Sequence, residues 1–167
     1  MTSLEPADVH RLNAALGWLG LDCPADARAE LDALAPALAA HPAVLEVRWL
    51  LCAHEKDWVA ALAIAHAQLA AAPKSSAGWL NQAYALRRTA DGGLPQAREI
   101  LLPAAAKFPG EPIITYNLAC YACQLAHLDE ARDWFRLAMK VGGKDAFKKL
   151  ALEDADLKPL WPEIAKL

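Results

Sequence analysis

Apolar positions along this chain recur with a helical period and are broken by short joints rich in Gly, Pro and Asp. Val9, Leu12 and Leu16 keep one such face, and Val47 and Leu50 keep another. Long alternating runs of β-branched residues are missing, so the pattern predicts helices and no strands. It places helices at 8–20 and 24–38, 42–54 and 57–71, 76–90 and 94–107, and 112–126 and 128–141. A short helix over 145–152 follows. Asp22-Cys23-Pro24 and Gly92-Gly93-Leu94-Pro95 each join a stop to a proline-led start. Pro36 and Pro103 fall inside two of these helices, where a proline removes a hydrogen bond and crowds the preceding turn. Distortion is expected at both.

The helices pair with a beat. Ala27, Ala61, Ala97 and Ala131 stand 34, 36 and 34 residues apart, each near the start of a second helix. The chain holds 38 alanines, so this spacing alone carries little weight. Other residues keep the same register. Pro73 and Pro109 each come 12 residues after their alanine, where the second helix should stop. Trp79 and Thr115 open equivalent first helices. Pro42 and Pro112 begin two repeats, at the position where a missing N–H costs nothing. The repeats fall at 8–41, 42–75, 76–111 and 112–145, and a tail, 146–167, follows.

A period of about 34 residues with W-x2-L-G-x2-Y, then A-x3-F, then P is the pattern of the tetratricopeptide repeat. Repeat four reads Thr115-x2-Leu118-Ala119-x2-Ala122, then Ala131-x3-Phe135, with Gly143 in place of proline. Repeat three reads Trp79-x2-Gln82-Ala83-x2-Leu86, then Ala97-x3-Leu101, then Pro109, with two extra residues around Asp91-Gly92-Gly93. Repeat two keeps Ala61 and Pro73 but has Arg48-Trp49 where Leu-Gly is usual. A Trp in that small-residue slot should push its helices apart or mark a local slip in register. Repeat one reads Arg11-x2-Ala14-Ala15-x2-Trp18, then Ala27-x3-Leu31. The chain therefore resembles the tetratricopeptide family over about 138 residues. The resemblance implies an all-α, right-handed α-α superhelix: a solenoid of about four hairpins in one domain, 1–167, with a C-terminal capping helix. The run Asp154-Ala155-Asp156-Leu157-Lys158-Pro159-Leu160-Trp161 resembles the closing segment of bacterial members, with Leu157, Leu160 and Trp161 packing back on the last hairpin.

The same resemblance implies that first helices line a concave groove. In repeats three and four this face carries Asn81, Tyr84, Arg87, Arg88, Tyr116, Asn117, Cys120, Cys123 and Gln124. Asn81 and Asn117 stand 36 residues apart at equivalent places, and an amide can clamp an extended backbone. Tyr84 and Tyr116 offer rigid apolar area with a polar tip. Arg87 and Arg88 could pair with a carboxylate. Asn81, Tyr84, Arg87, Arg88, Tyr116, Asn117 and Gln124 are the candidate peptide-binding residues. The alternative is that the asparagines satisfy backbone groups between helices and the arginines are solvated. The lysines of a carboxylate clamp are missing from the first helices. In repeats one and two the face is apolar, with Val9, Leu12, Leu16, Val47 and Leu50 suited to an amphipathic helix, to the N-terminal segment or to a second copy.

Charge and chemistry narrow the function. A net charge of −3 lacks the basic patch expected of a nucleic-acid binder. No apolar run reaches the length of a membrane span, and Met-Thr-Ser-Leu-Glu-Pro does not read as a signal peptide. Four cysteines at this density suit reduced thiols in a cytoplasmic protein. Cys120-x2-Cys123 puts two sulfurs on one helix face, but no second pair is spaced to complete a metal site. The five histidines and the glycines form no catalytic or phosphate-binding motif. The expectation is a non-enzymatic scaffold without cofactor, metal or catalytic residues, binding a peptide or helix of a partner protein. A small chaperone for a secreted or unstable client is the alternative, and self-association could accompany either.

Overall fold

The computed structural model describes residues 3–167; Met1 and Thr2, part of the stretch read for a signal peptide, lie outside them. The described residues are all-helical. In order they form α1 (Pro6–Gly20), α2 (Pro24–Asp32), a 3-10 turn (Pro36–Leu38), α3 (Pro42–His54), α4 (Trp58–Ala71) and α5 (Ala77–Leu86). Then come α6 (Leu94–Lys107), α7 (Pro112–Gln124), α8 (Leu128–Gly142), α9 (Lys144–Glu153), a 3-10 turn (Ala155–Leu160) and α10 (Trp161–Ile164). No helix among them is long and apolar enough to cross a membrane. They gather into two compact units, one ending at Ala85 and the other beginning at Leu86.

The joints between paired helices explain the alanine beat. Ala27, Ala61, Ala97 and Ala131 are each the fourth residue of their helix and each fully buried. At three joints the chain closes with the same hydrogen bond, spanning five residues: Cys23 N to Trp18 O, Asp57 N to Cys52 O and His127 N to Ala122 O. Each such joint has one residue in the left-handed region, Asp22, Lys56 or Ala126. This is the Schellman geometry that satisfies the last carbonyls of a helix. At the fourth joint Gly93 N reaches Leu86 O across seven residues. The two extra residues bulge out while the closing bond is kept. Glycine is required there, since a Cβ on Gly92 would sit 2.0 Å from Leu86 O and Gly93 has φ 137°.

Pro36 acts as expected: α2 ends at Asp32 and the chain resumes as a 3-10 turn with Pro36 at its head. Pro103 does not end its helix: α6 runs through it between the buried Leu101 and Ala104. Of the two outcomes expected at Trp49, helices pushed apart or a slip in register, the slip is absent. Trp49 is 7% exposed and packs on Ala61, Ala65 and Ala85. These alanines give the indole its room, and the joint after α3 keeps the common register. The indole Nε1 and Arg48 Nε are buried without a hydrogen-bond partner among the described residues, a cost accepted for that packing.

Each unit has its own apolar interior. In the first, Leu12, Ala15, Leu31, Val44, Val47 and Leu51 form one cluster. In the second, Leu101, Ile114, Leu118, Tyr121 and Leu157 are among the most deeply buried side chains. The closing segment contributes Leu157 and Leu160, both buried, and Trp161 Nε1 donates to Ala151 O at 2.7 Å.

Candidate functional site

The seven candidate residues divide between the units. Asn81 and Tyr84 lie on α5 in the first; Arg87, Arg88, Tyr116, Asn117 and Gln124 lie in the second. Most of their polar groups have partners within their own unit.

In the first unit the asparagine is one corner of a triad. Its Nδ2 donates to Gln68 Oε1 at 2.9 Å and to Glu46 Oε2 at 3.3 Å, while Gln68 Nε2 donates to the same Glu46 oxygen at 2.8 Å. Gln68, 5% exposed, is the polar member sequence reasoning missed; a lone amide in the alanine-rich α4 was its only signal. The Tyr84 ring is 38% exposed and meets Trp49 edge-on at 5.8 Å and Trp58 at 5.9 Å.

In the second unit the closing segment lies on α7 and engages that helix's candidate residues. Tyr116, 5% exposed, donates its hydroxyl to Asp154 Oδ2 at 2.8 Å. Arg87 Nη1 pairs with Asp156 Oδ2 at 2.8 Å, and its guanidinium sits 5.1 Å over the Tyr121 ring. Gln124 Nε2 donates to Asp156 O at 2.9 Å. Asn117 Nδ2 donates to Ile113 O of its own helix, so the two equivalent asparagines make different bonds. Arg88, half-buried, follows the end of α5. Asp154 and Asp156 were legible only as part of a closing run; their role as acceptors needed the return of the chain onto α7.

Cys120 Sγ comes within 4.8 Å of carboxylate oxygens of Asp154 and Asp156, a grouping that the Cys120-x2-Cys123 spacing did not foretell. Those carboxylates already serve Tyr116 and Arg87. Burial, with the nearby aspartates, pushes the Cys120 thiol well above its ordinary range. Burial likewise raises Cys123, Cys52 and Tyr116, and lifts Tyr121 to about 12 against the opposing pull of Arg87. A neutral thiol is a poor nucleophile and a poor ligand.

An open apolar feature built by the predicted groove face lies between α1 and α3. A concavity of about 330 Å³ is lined by Leu4, Val9, Leu12, Asn13, Leu16, Ala43, Glu46, Val47 and Leu50. Val9 and Leu16 are each 42% exposed. Five of these residues are the apolar face read from the sequence of repeats one and two. Glu46 also borders a smaller hollow of about 140 Å³ with Gln68, Ser75, Ala77 and Gly78. The site is thus an apolar trough with the Glu46 carboxylate at one edge and the Gln68 amide beside it. No protein-family model matches the chain, and no curated protein matches it.

Proposed function

We propose that the protein is a non-enzymatic interaction module of tetratricopeptide type, whose α1–α3 trough holds a helix of a partner protein. The observation that carries this reading is the trough itself: an open apolar channel of helical spacing on both walls, with Val9 and Leu16 left partly in water. Apolar grooves of this kind are met by amphipathic helices through residues at i, i+3, i+4 and i+7. Support for the repeat assignment comes from the four buried alanines and the three matching joints. The polar set at Arg87, Tyr116 and Gln124 serves chiefly to seat the closing segment, and Asn81 to orient Glu46. The same trough would serve a chaperone that shields a helical client segment.

The test is titration of the isotope-labelled protein with a short amphipathic peptide whose polar face is neutral. Amide shifts confined to α1 and α3, lost in Leu16→Asp, are expected. Shifts centred on α7, or none, would refute this placement. Leu16 is 42% exposed, so the substitution should leave the fold standing.

A further inference from the structure

The trough carries a second property, which rests on the docking reading above: it selects for positive charge. Of its nine lining residues Glu46 alone is charged. The carboxylate is not spent. Its hydrogen-bond partners are the neutral amides of Gln68 and Asn81, both on Oε2, and an ionised carboxylate offers about four acceptor positions. The triad therefore holds Glu46 in place without neutralising it.

Beside it the smaller hollow is lined by Glu46 and Gln68 together with Pro42 and five small residues, Ala43, Ala72, Ser75, Ala77 and Gly78. A volume of about 140 Å³ bordered by small side chains gives room for the end of a long, flexible cation. The surroundings agree in sign. Residues 1–85 carry nine acidic and five basic side chains, a net charge of −4 within a chain of −3 overall. Glu5 and Asp8 begin α1, the wall opposite Glu46.

We propose that the occupant is a basic amphipathic helix of another protein, its apolar stripe in the α1–α3 trough and one Lys or Arg reaching past Ala43 to Glu46. Charge, the N-terminal segment and length favour this occupant. A second copy docking by a two-fold axis would bring two copies of this acidic unit together, and like charges brought together are penalised. The described N-terminal segment borders the trough through Leu4 and does not fill it. The 15 residues of α1 span about 22 Å, so a partner helix of about four turns can lie along it.

The experiment uses the full chain and three fluorescein-labelled peptides of about 15 residues. All share Leu at i, i+3, i+4 and i+7; the positions flanking the stripe are Lys, Gln or Glu. Anisotropy titrations should give the Lys peptide an affinity about tenfold above the Gln peptide, and more above the Glu peptide. Glu46→Gln keeps an acceptor for both amides and should bring Lys and Gln peptides to the same affinity. Leu16→Asp should abolish binding of all three. Equal binding of the three peptides by the wild type, or a preference that survives Glu46→Gln, overturns the charge selection while leaving the docking reading intact. Failure of every peptide, or binding indifferent to Leu16→Asp, overturns both. A concentration-dependent dimer by sedimentation that Leu16→Asp dissolves would assign the trough to a second copy and also overturn the proposal.

Discussion

At Ala126 the backbone has φ 63°, a conformation in which a Cβ is crowded by the following carbonyl. The chain accepts this because the joint after α7 must close on Ala122 O, as the joints after α1 and α3 close on their own helices. Glycine is the usual residue for such a turn, so its absence hid the left-handed position from a reading of the sequence. Ala126→Gly is expected to raise stability by about 0.5–1 kcal/mol, the relief of strain exceeding the added freedom of the unfolded chain. A urea midpoint shifted downward would contradict this. Burial acts on single residues in a second way. The thiols of Cys52, Cys120 and Cys123 and the phenols of Tyr116 and Tyr121 are all raised above their ordinary values of 9.0 and 10.0. Below about pH 8 folded and unfolded chains both hold these protons, and the contribution is complete. Above about pH 9 the unfolded chain releases protons that the folded one keeps, so stability falls with rising pH. Urea unfolding across that range should show the fall, and Cys120→Ala should make it shallower.

At the scale of elements, the closing segment and α7 form a coupled pair. Asp154 caps the 3-10 turn through Asp156 N at 2.9 Å and accepts from Tyr116 at 2.8 Å. Tyr116 packs in turn on Phe135 and Phe147. Asp154→Ala strands a buried hydroxyl, and the expected cost is about 1–3 kcal/mol. Tyr116→Phe should cost less. In the double variant the losses should fall short of their sum, because the phenylalanine leaves nothing unpaired. Strict additivity in chemical denaturation would mean the pair is not coupled. A similar economy holds α6 to α8, where Arg98 Nη2 at 2.6 Å and Trp134 Nε1 at 3.0 Å both donate to Glu130 Oε1. Burial opposes the Glu130 charge, but these donors outweigh it and keep the carboxyl below its usual range. Proline illustrates the limit of reading elements from sequence. Pro36 and Pro103 looked alike, yet one follows a helix that had already ended and the other lies within a helix that continues.

At the scale of the molecule, charge is unevenly shared. The half of the sequence that holds the open trough carries the negative charge, and residues 86–167 carry a net +1. Binding at the trough would join a channel between two helices to a field set by the first unit. If the charge series of peptides orders as expected and Leu16→Asp removes it, the trough is the working face. The polar residues that first drew notice would then be the frame behind it.

The helices and most of their boundaries were determined by the sequence alone, because apolar period, proline starts and glycine stops act over a few residues. The apolar trough was legible for the same reason: Val9, Leu12 and Leu16 share a face of one helix, and Val47 and Leu50 a face of another. Tertiary structure decided the partners of most polar side chains on the predicted groove face. Asn81 and Asn117 occupy equivalent places, yet one bonds Gln68 and Glu46 across helices and the other bonds its own. Tyr116, Arg87 and Gln124 meet Asp154 and Asp156 from 32 to 69 residues away. A local pattern places a donor on a helix face; which acceptor meets it depends on where the rest of the chain returns.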